Sequence, residues 1–519
     1  MGVQRVQDRG DPARSPLMGA RGCPSLSAFS YRPQVRQNND EWILIALLNI
    51  VKNYYYIVMM QKDLELLNQA KEILQRNTIT VTVNGKRYER IIPSRDFYVH
   101  QWLWDSAGIA MGQVHIDEEA AFNELLSLIA GQWNNGLMPH IIYNPGESRY
   151  YPPADQWQTT SFTRDGIKTS GITDPPLLAI AAEYVCNHAS DEKKKRDFIN
   201  TILPSIMAYH DHLKHYRDPE DCGLLTIVHP WESGTDDSPR WDSLLNRIDL
   251  NMIPSDIKAD VDLNRKDIRS HSSQERPTES DYYRYIYLIE LFKDLAWDYT
   301  KILDETPFAA KDILFNSIWE RANEALAALL HIYGKQEEAN TYQQWAEQTR
   351  NALTNTWSEE HNQYCDIDVT QGRHQAIVAP TNAIFMPLYA GAVTDKQLDI
   401  LLDRLSQADE FATEYPVPCT AINSQYFDKE RYWRGPTWPI TNFFIIEGLK
   451  RYKTSHTNAE QLANSLAIKT IQMIRDNGFW EYFDSTDHRT EGDTNGMGFS
   501  SFSWTAAILI QLLNKLYYN

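Results

Sequence analysis

From residue 61 onward the chain keeps returning to one pattern, apolar residues at helical spacing broken by short polar or aromatic stretches. The spacing predicts helices near 62–75, 105–115, 117–131, 175–187, 192–216, 280–300, 308–333, 336–357, 380–391, 395–406, 438–453, 457–476 and 501–516. Thr173-Asp174-Pro175 reads as a helix start. Strand-like text is limited to "TITVTVNGKRYERIIP", with Asn84-Gly85 as its turn, and to "YCDIDV". About a dozen helices with no strong linker between them predict one mainly α domain.

The amino terminus reads differently. Residues 1–40 carry Arg, Pro, Gly and Ser without periodicity, and 42–60 form a nearly bilayer-length apolar run interrupted by Asn49, Lys52 and Asn53. We therefore expect residues 1–59 to be a disordered or non-native extension and residues 60–519 to be the domain, with a membrane anchor as the alternative for the apolar run.

A net charge of −19 argues against nucleic acid or an anionic membrane as partner, because phosphates would be repelled. The five cysteines are scattered, with no CxxC, and no N-x-S/T triplet occurs, which fits reduced thiols in the cytoplasm. No phosphate-cradling, dinucleotide or metalloprotease motif occurs, so no cofactor or metal is expected. In "HDHLKH" only His212 and His215 share a helix face, and the neighbouring Lys and Tyr read as a solvated helix end. A homo-oligomer is left open.

The informative text lies between the helices, in loops that mix tryptophan and tyrosine with carboxylates. "HPWESGTDDSPRWD" (229–242) sets Glu232, Asp236, Asp237 and Asp242 among Trp231 and Trp241. "GFWEYFD" (478–484) embeds Glu481 among aromatic rings. Two carboxyl groups flanking a glycosidic bond suffice to hydrolyse it, one protonated and one ionised, and an apolar setting keeps the acid protonated. The same residues also have structural readings: Asp236 as a helix cap, Glu232 or Asp237 as a partner of Arg240.

Taken together, "FYVHQWLWDSAGIAMG" (97–112), "LIAGQWNNGLMPHIIYNP" (128–145), "SGITDPPLLA" (170–179), the 229–242 loop, "RPTESDYYRYIYLI" (276–289), "YWRGPTWPITNFFIIEGL" (432–449) and "WEYFDSTDHRTEGD" (480–493) resemble glycoside hydrolase family 63. Within it the likeness is to the short mannosylglycerate and glucosylglycerate hydrolases. The resemblance covers essentially residues 60–519 and implies an (α/α)6 barrel and an inverting α-glycosidase. It implies Asp236 as general acid and Glu481 as general base, with Ser485 replacing the proline of the family's "EYFDP". It implies that Tyr98, Trp102, Asp105 and Trp231 line the sugar subsite, that Arg276 and Tyr282 sit over the aglycone, and that Tyr432, Trp433, Gly435 and Trp438 join the pocket. The expected partner is a small glycoside: glucosylglycerate or mannosylglycerate, or alternatively a neutral disaccharide or oligosaccharide. A cation at the aglycone distinguishes the two, and Arg276 is the candidate, unless it merely pairs with Glu275 or Glu279. A non-catalytic sugar binder would need no acid/base pair.

Overall fold

The helix Leu103–Gln113 shows how the domain is packed: it is buried on every side. Its sequence alternates large residues with Ala107, Gly108, Ala110 and Gly112, so neighbouring helices come close. A Cβ on Gly112 would lie 2.5 Å from the Ala507 backbone, so it is here that the helix Ser503–Tyr518 presses against it. Leu178–His188, Ile313–Ile332 and Pro439–Lys450 are likewise largely buried. Glu118–Leu128, Glu192–Arg217, Gln336–Thr354, Asp395–Ser406 and Thr457–Asn477 bury only one face and present charged residues on the other. Sequence neighbours pack in pairs, such as Ile313–Ile332 on Gln336–Thr354 and Pro439–Lys450 on Thr457–Asn477. The fold is thus mainly helical, with apolar helices inside and amphipathic helices around them.

This computed structural model describes residues 61–83, 85–269, 273–486 and 494–518. Residues 63–519 belong to one compact unit, and the expected 1–59 extension, with Met60 and Asn84 of the hairpin turn, lies outside the described residues. No described helix is long and apolar enough to cross a membrane.

The predicted hairpin forms, Thr78–Val83 antiparallel to Lys86–Ile91. The segment 395–406 is a helix over that same range, closed by a capping box between Thr394 and Gln397. Other expectations need correction. The helix read over 280–300 is two, Glu279–Asp294 and Tyr299–Glu305, because Ala296 and Trp297 take left-handed backbone angles between them. The segment read from 308 opens with a short strand, Ala310–Lys311, before its helix begins at Ile313. The segment 380–391 is a 3-10 helix over Asn382–Leu388, with Pro387 inside it. Ser255–Asn264 forms a helix that the apolar spacing does not predict. His210 and His212 are not on a solvated helix end; both are buried, bonded to Asn323 and to the Asn135 carbonyl.

Loops are held to this scaffold by buried ion pairs. Arg240, on the 229–242 loop, lies between Asp312 at 2.7 Å and Asp366 at 2.9 Å, and also donates to Thr235. All three charges are buried. Removing the cation leaves two carboxylates facing each other away from water, so Arg240→Ala should cost about 3–5 kcal/mol. The check is urea denaturation, in which the midpoint should fall while the slope holds.

Candidate active site

The segments 97–105, 229–242, 265–269, 273–282, 432–438, 480–486 and 494–504 contribute residues to one pocket. Tyr98, Trp102, Asp105, Trp231 and Asp236 line it from the first two, and Arg276, Tyr282, Tyr432, Trp433 and Glu481 from the others. Gly435 and Trp438 do not line it. A Cβ on Gly435 would sit 2.1 Å from the Asp428 carbonyl, so this glycine lets two strands of loop cross. Trp438 stacks behind Trp433, rings 3.7 Å apart, and supports the wall from outside.

The 229–242 loop begins with a single 3-10 turn, Pro230–Ser233, started by Pro230 and by His229, whose Nδ1 accepts the Trp231 N–H. It ends at Gly234, with φ +69°, where a Cβ would strike the Trp104 ring at 2.7 Å. That reversal brings Asp236 to the pocket. The carboxyl of Asp236 receives a hydrogen bond from its own backbone but none from another described side chain, and its carbonyl accepts from Tyr285 Oη at 3.0 Å. Burial, and then the charge of Asp237, push its pKa up to about 8, with Arg276 opposing. It is therefore protonated at neutral pH.

The other carboxylates of this loop are bound elsewhere. Glu232 accepts from Arg217 at 2.5 and 3.1 Å and from the backbone N–H groups of Thr173 and Val228. Asp237 is gripped by Arg431 at 2.6 and 2.9 Å, with Arg434 at 3.6 Å. Asp242 pairs with Arg434 at 2.5 Å. Neither Glu232 nor Asp237 meets Arg240, and Asp236 caps no helix; the cap before Pro239 is Ser238.

Glu481 sits on the strand Trp480–Phe483, where its pairing with Gly496–Ser500 slips register at a bulge. Its Oε2 accepts from Arg276 at 2.9 Å and from the Phe499 N–H at 3.3 Å, and its Oε1 from Tyr432 Oη at 3.4 Å. Burial raises its pKa and the adjacent guanidinium pulls it back. Arg276 pairs with neither Glu275 nor Glu279. It spans Glu481 and Tyr98 Oη (2.9 Å), lies over the Tyr432 ring at 4.6 Å, and keeps its buried Nε without a partner.

Sequence reasoning missed part of the wall. Asp174, read as a helix start, lines the pocket, and its helix begins only at Leu178. Burial and then Asp105 raise its pKa well above the usual range; burial and then Glu481 do the same for Asp105. His140 stands 3.8 Å from Asp174 and is kept neutral by burial, its pKa lowered to about 3. Asp267 also lines the pocket, clamped by Arg265 at 2.7 and 2.8 Å. Both Asp174 and His140 lie within quoted motifs, so proximity to a motif was the available signal. Among the described residues no cluster of His, Cys, Asp and Glu is arranged to hold a metal ion.

The chain is similar to several known proteins. The family model for the mannosylglycerate hydrolase MGH1-like glycoside hydrolase domain matches residues 98–505. A mannosylglycerate hydrolase of Thermus thermophilus is 35% identical, the match covering 85% of this chain and 99% of that protein. A glucosylglycerate hydrolase of Mycolicibacterium hassiacum is 29% identical, over 80% of this chain and 92% of its own. A crystal structure of a GH63 mannosylglycerate hydrolase from Thermus thermophilus, in complex with Tris and D-glycerate, matches with a TM-score of 0.75 at 34% identity, covering 86% of this chain and 99% of that one.

One glycine tests the setting of Glu481. Gly498 has φ +69°, and a Cβ there would meet Glu481 Oε2 at 2.4 Å. Gly498→Ala should displace the carboxylate and lower kcat by at least about tenfold, a change that the loss of roughly 1.4 kcal/mol of transition-state stabilisation produces. Steady-state kinetics beside a circular dichroism melt would separate this from unfolding.

Proposed function

We propose, from the premise that this chain belongs to the mannosylglycerate hydrolase MGH1-like glycoside hydrolase family, that it hydrolyses glucosylglycerate, mannosylglycerate or both to the free sugar and glycerate. The observation that carries the reading is the unequal treatment of two carboxyl groups in one pocket. The Asp236 carboxyl takes no hydrogen bond from another described side chain and its pKa is pushed up to about 8; Glu481 is bonded to an arginine. That is the division a general acid and a general base need.

On this reading Asp236 gives its proton to the glycosidic oxygen as the bond from the anomeric carbon breaks. A water attacks the opposite face of the sugar and loses its proton to Glu481. Arg276 and Tyr432 hold the Glu481 carboxylate in place for that transfer. The tryptophans of the wall stack on the sugar, and Asp105 takes its hydroxyls. The outcome is inversion, so an α-linked substrate releases the β-anomer first. The alternation of apolar and amphipathic helices supports an (α/α)6 barrel as the scaffold.

The test is product analysis by proton NMR on glucosylglycerate, mannosylglycerate, kojibiose and trehalose. Cleavage of either glycerate compound with β-anomer first supports the reading; cleavage of the neutral sugars alone, or α-anomer first, overturns it. Asp236→Asn and Glu481→Gln should each lower kcat by about 10²–10⁴-fold. The acid works only while protonated, so wild-type kcat/KM should fall as pH rises through about 8. A pH profile flat across that range would remove Asp236 from the role.

Glycerate carries a carboxylate, and Arg276 is the one lysine or arginine lining the pocket among the described residues. Its unpartnered Nε leaves a donor for that anion beside the two donors already engaged. Arg276→Ala should therefore harm every substrate through Glu481 and harm glycerate glycosides further, by about 1.5–3 kcal/mol in kcat/KM. Equal losses on glycerate glycosides and neutral α-glucosides would assign Arg276 to Glu481 alone.

A further inference from the structure

Away from the pocket, Lys311 is a buried lysine with no carboxylate within ion-pair distance among the described residues. An ammonium out of water normally finds a countercharge. Instead its Nζ lies 2.6 Å from Cys222 Sγ and 3.2 Å from the Leu224 carbonyl oxygen. Cys222 Sγ approaches the same carbonyl at 3.6 Å, so one oxygen gathers the nitrogen and the sulfur together. Both partners are fixed. Asp218 accepts the backbone N–H groups of Cys222 and Gly223, and Lys214 pairs with Asp218 at 2.6 Å. Lys311 sits on the strand Ala310–Lys311, which pairs with Asp366–Asp368. Cys222 is exposed, whereas Cys186, Cys365 and Cys419 are buried, so among the described cysteines it is the one a solute reaches. A cavity of about 370 Å³ opens beside Lys311.

We propose that Cys222 and Lys311 form an oxidation site at which a peroxide closes a reversible covalent sulfur–nitrogen bond. The sulfur attacks the peroxide oxygen, the O–O bond breaks, and Cys222 becomes a sulfenic acid while hydrogen peroxide is reduced to water. The Lys311 nitrogen, once it has released a proton to solvent, attacks the sulfur and expels the hydroxyl, which leaves as a second water. Cys222 is oxidised by two electrons, hydrogen peroxide is the acceptor, and the new bond joins residues 89 apart in sequence. A thiol reductant reverses the reaction by attacking the same sulfur. Lys311 immediately precedes Asp312, a partner of Arg240, so the bond ties the 218–223 turn to the strand that anchors the 229–242 loop.

The experiment treats the full chain with hydrogen peroxide, digests it, and maps the peptides by mass. The expected product is one joined pair of peptides containing Cys222 and Lys311, lighter by two hydrogens than the separate peptides together. It should split on treatment with dithiothreitol and be absent from Cys222→Ser and Lys311→Arg. Cys222→Ser should keep wild-type glycosidase activity without peroxide. Conversion of wild-type Cys222 to sulfinic or sulfonic acid with no joined pair overturns the proposal. So does a joined pair that persists in Lys311→Arg. The wild-type map decides the matter even if a variant fails to fold.

Discussion

The Glu232 carboxylate, which does not itself line the pocket, ties three segments of the site together. It is fully buried and takes four hydrogen bonds, two from Arg217 and one each from the Thr173 and Val228 backbones. Burying an ion pair is costly unless its remaining polar groups are satisfied; both Glu232 oxygens are, while the Arg217 Nε keeps no partner among the described residues. The three segments it joins are the end of Glu192–Arg217, the turn that carries Asp174, and the loop that carries Asp236. The relative positions of two pocket carboxyls therefore follow from one structural carboxylate four residues before the proposed acid.

Charge is then distributed by pairing. The loop holds four carboxyl groups; Glu232, Asp237 and Asp242 each receive an arginine, and among the described residues Asp236 receives none. Burial raises both Asp236 and Asp237, but the arginines beside Asp237 hold it to about 6, whereas Asp236, with no such partner, reaches about 8. Glu481 lies between these extremes, buried but bonded to Arg276. Among the described residues no lysine or arginine lies within ion-pair distance of Asp105 or Asp174, the His140 beside Asp174 is neutral, and burial drives both carboxyls towards the protonated form.

Much of this was legible because the helices are amphipathic and the loops are not. Apolar spacing announces the helix Asp395–Ser406, and the carboxyl-aromatic mixtures at 229–242 and 478–484 both contribute residues to the pocket. What was not legible depends on distance in sequence. The arginine that meets Glu481 is 205 residues away, and Asp237 finds Arg431 at a separation of 194, so the guess of nearby Arg240 failed. The break between Asp294 and Tyr299 hides because the apolar spacing runs through it, while the left-handed angles at Ala296 and Trp297 leave no periodic trace. Trp438 was grouped with Trp433 because both follow Tyr432, but one ring faces the pocket and the other stacks behind it.

An anionic aglycone sets a problem for a chain with net charge −19. Distant surface carboxylates matter little, since at physiological salt their field decays over about 8 Å. What counts is the lining, which includes Asp105, Asp174, Asp236, Asp267 and Glu481 against Arg276. On the proposed reading, were all five ionised, glycerate would be repelled from the pocket. Burial pushes Asp105, Asp174 and Asp236 towards the neutral form, and Arg265 compensates Asp267 with two hydrogen bonds. That leaves Glu481 as the one lining carboxylate that draws directly on Arg276. On the proposed reading, the desolvation that keeps the acid protonated is thus also what admits a carboxylate. A pocket hydrated enough to ionise its aspartates would lose its proton donor and its affinity for glycerate together.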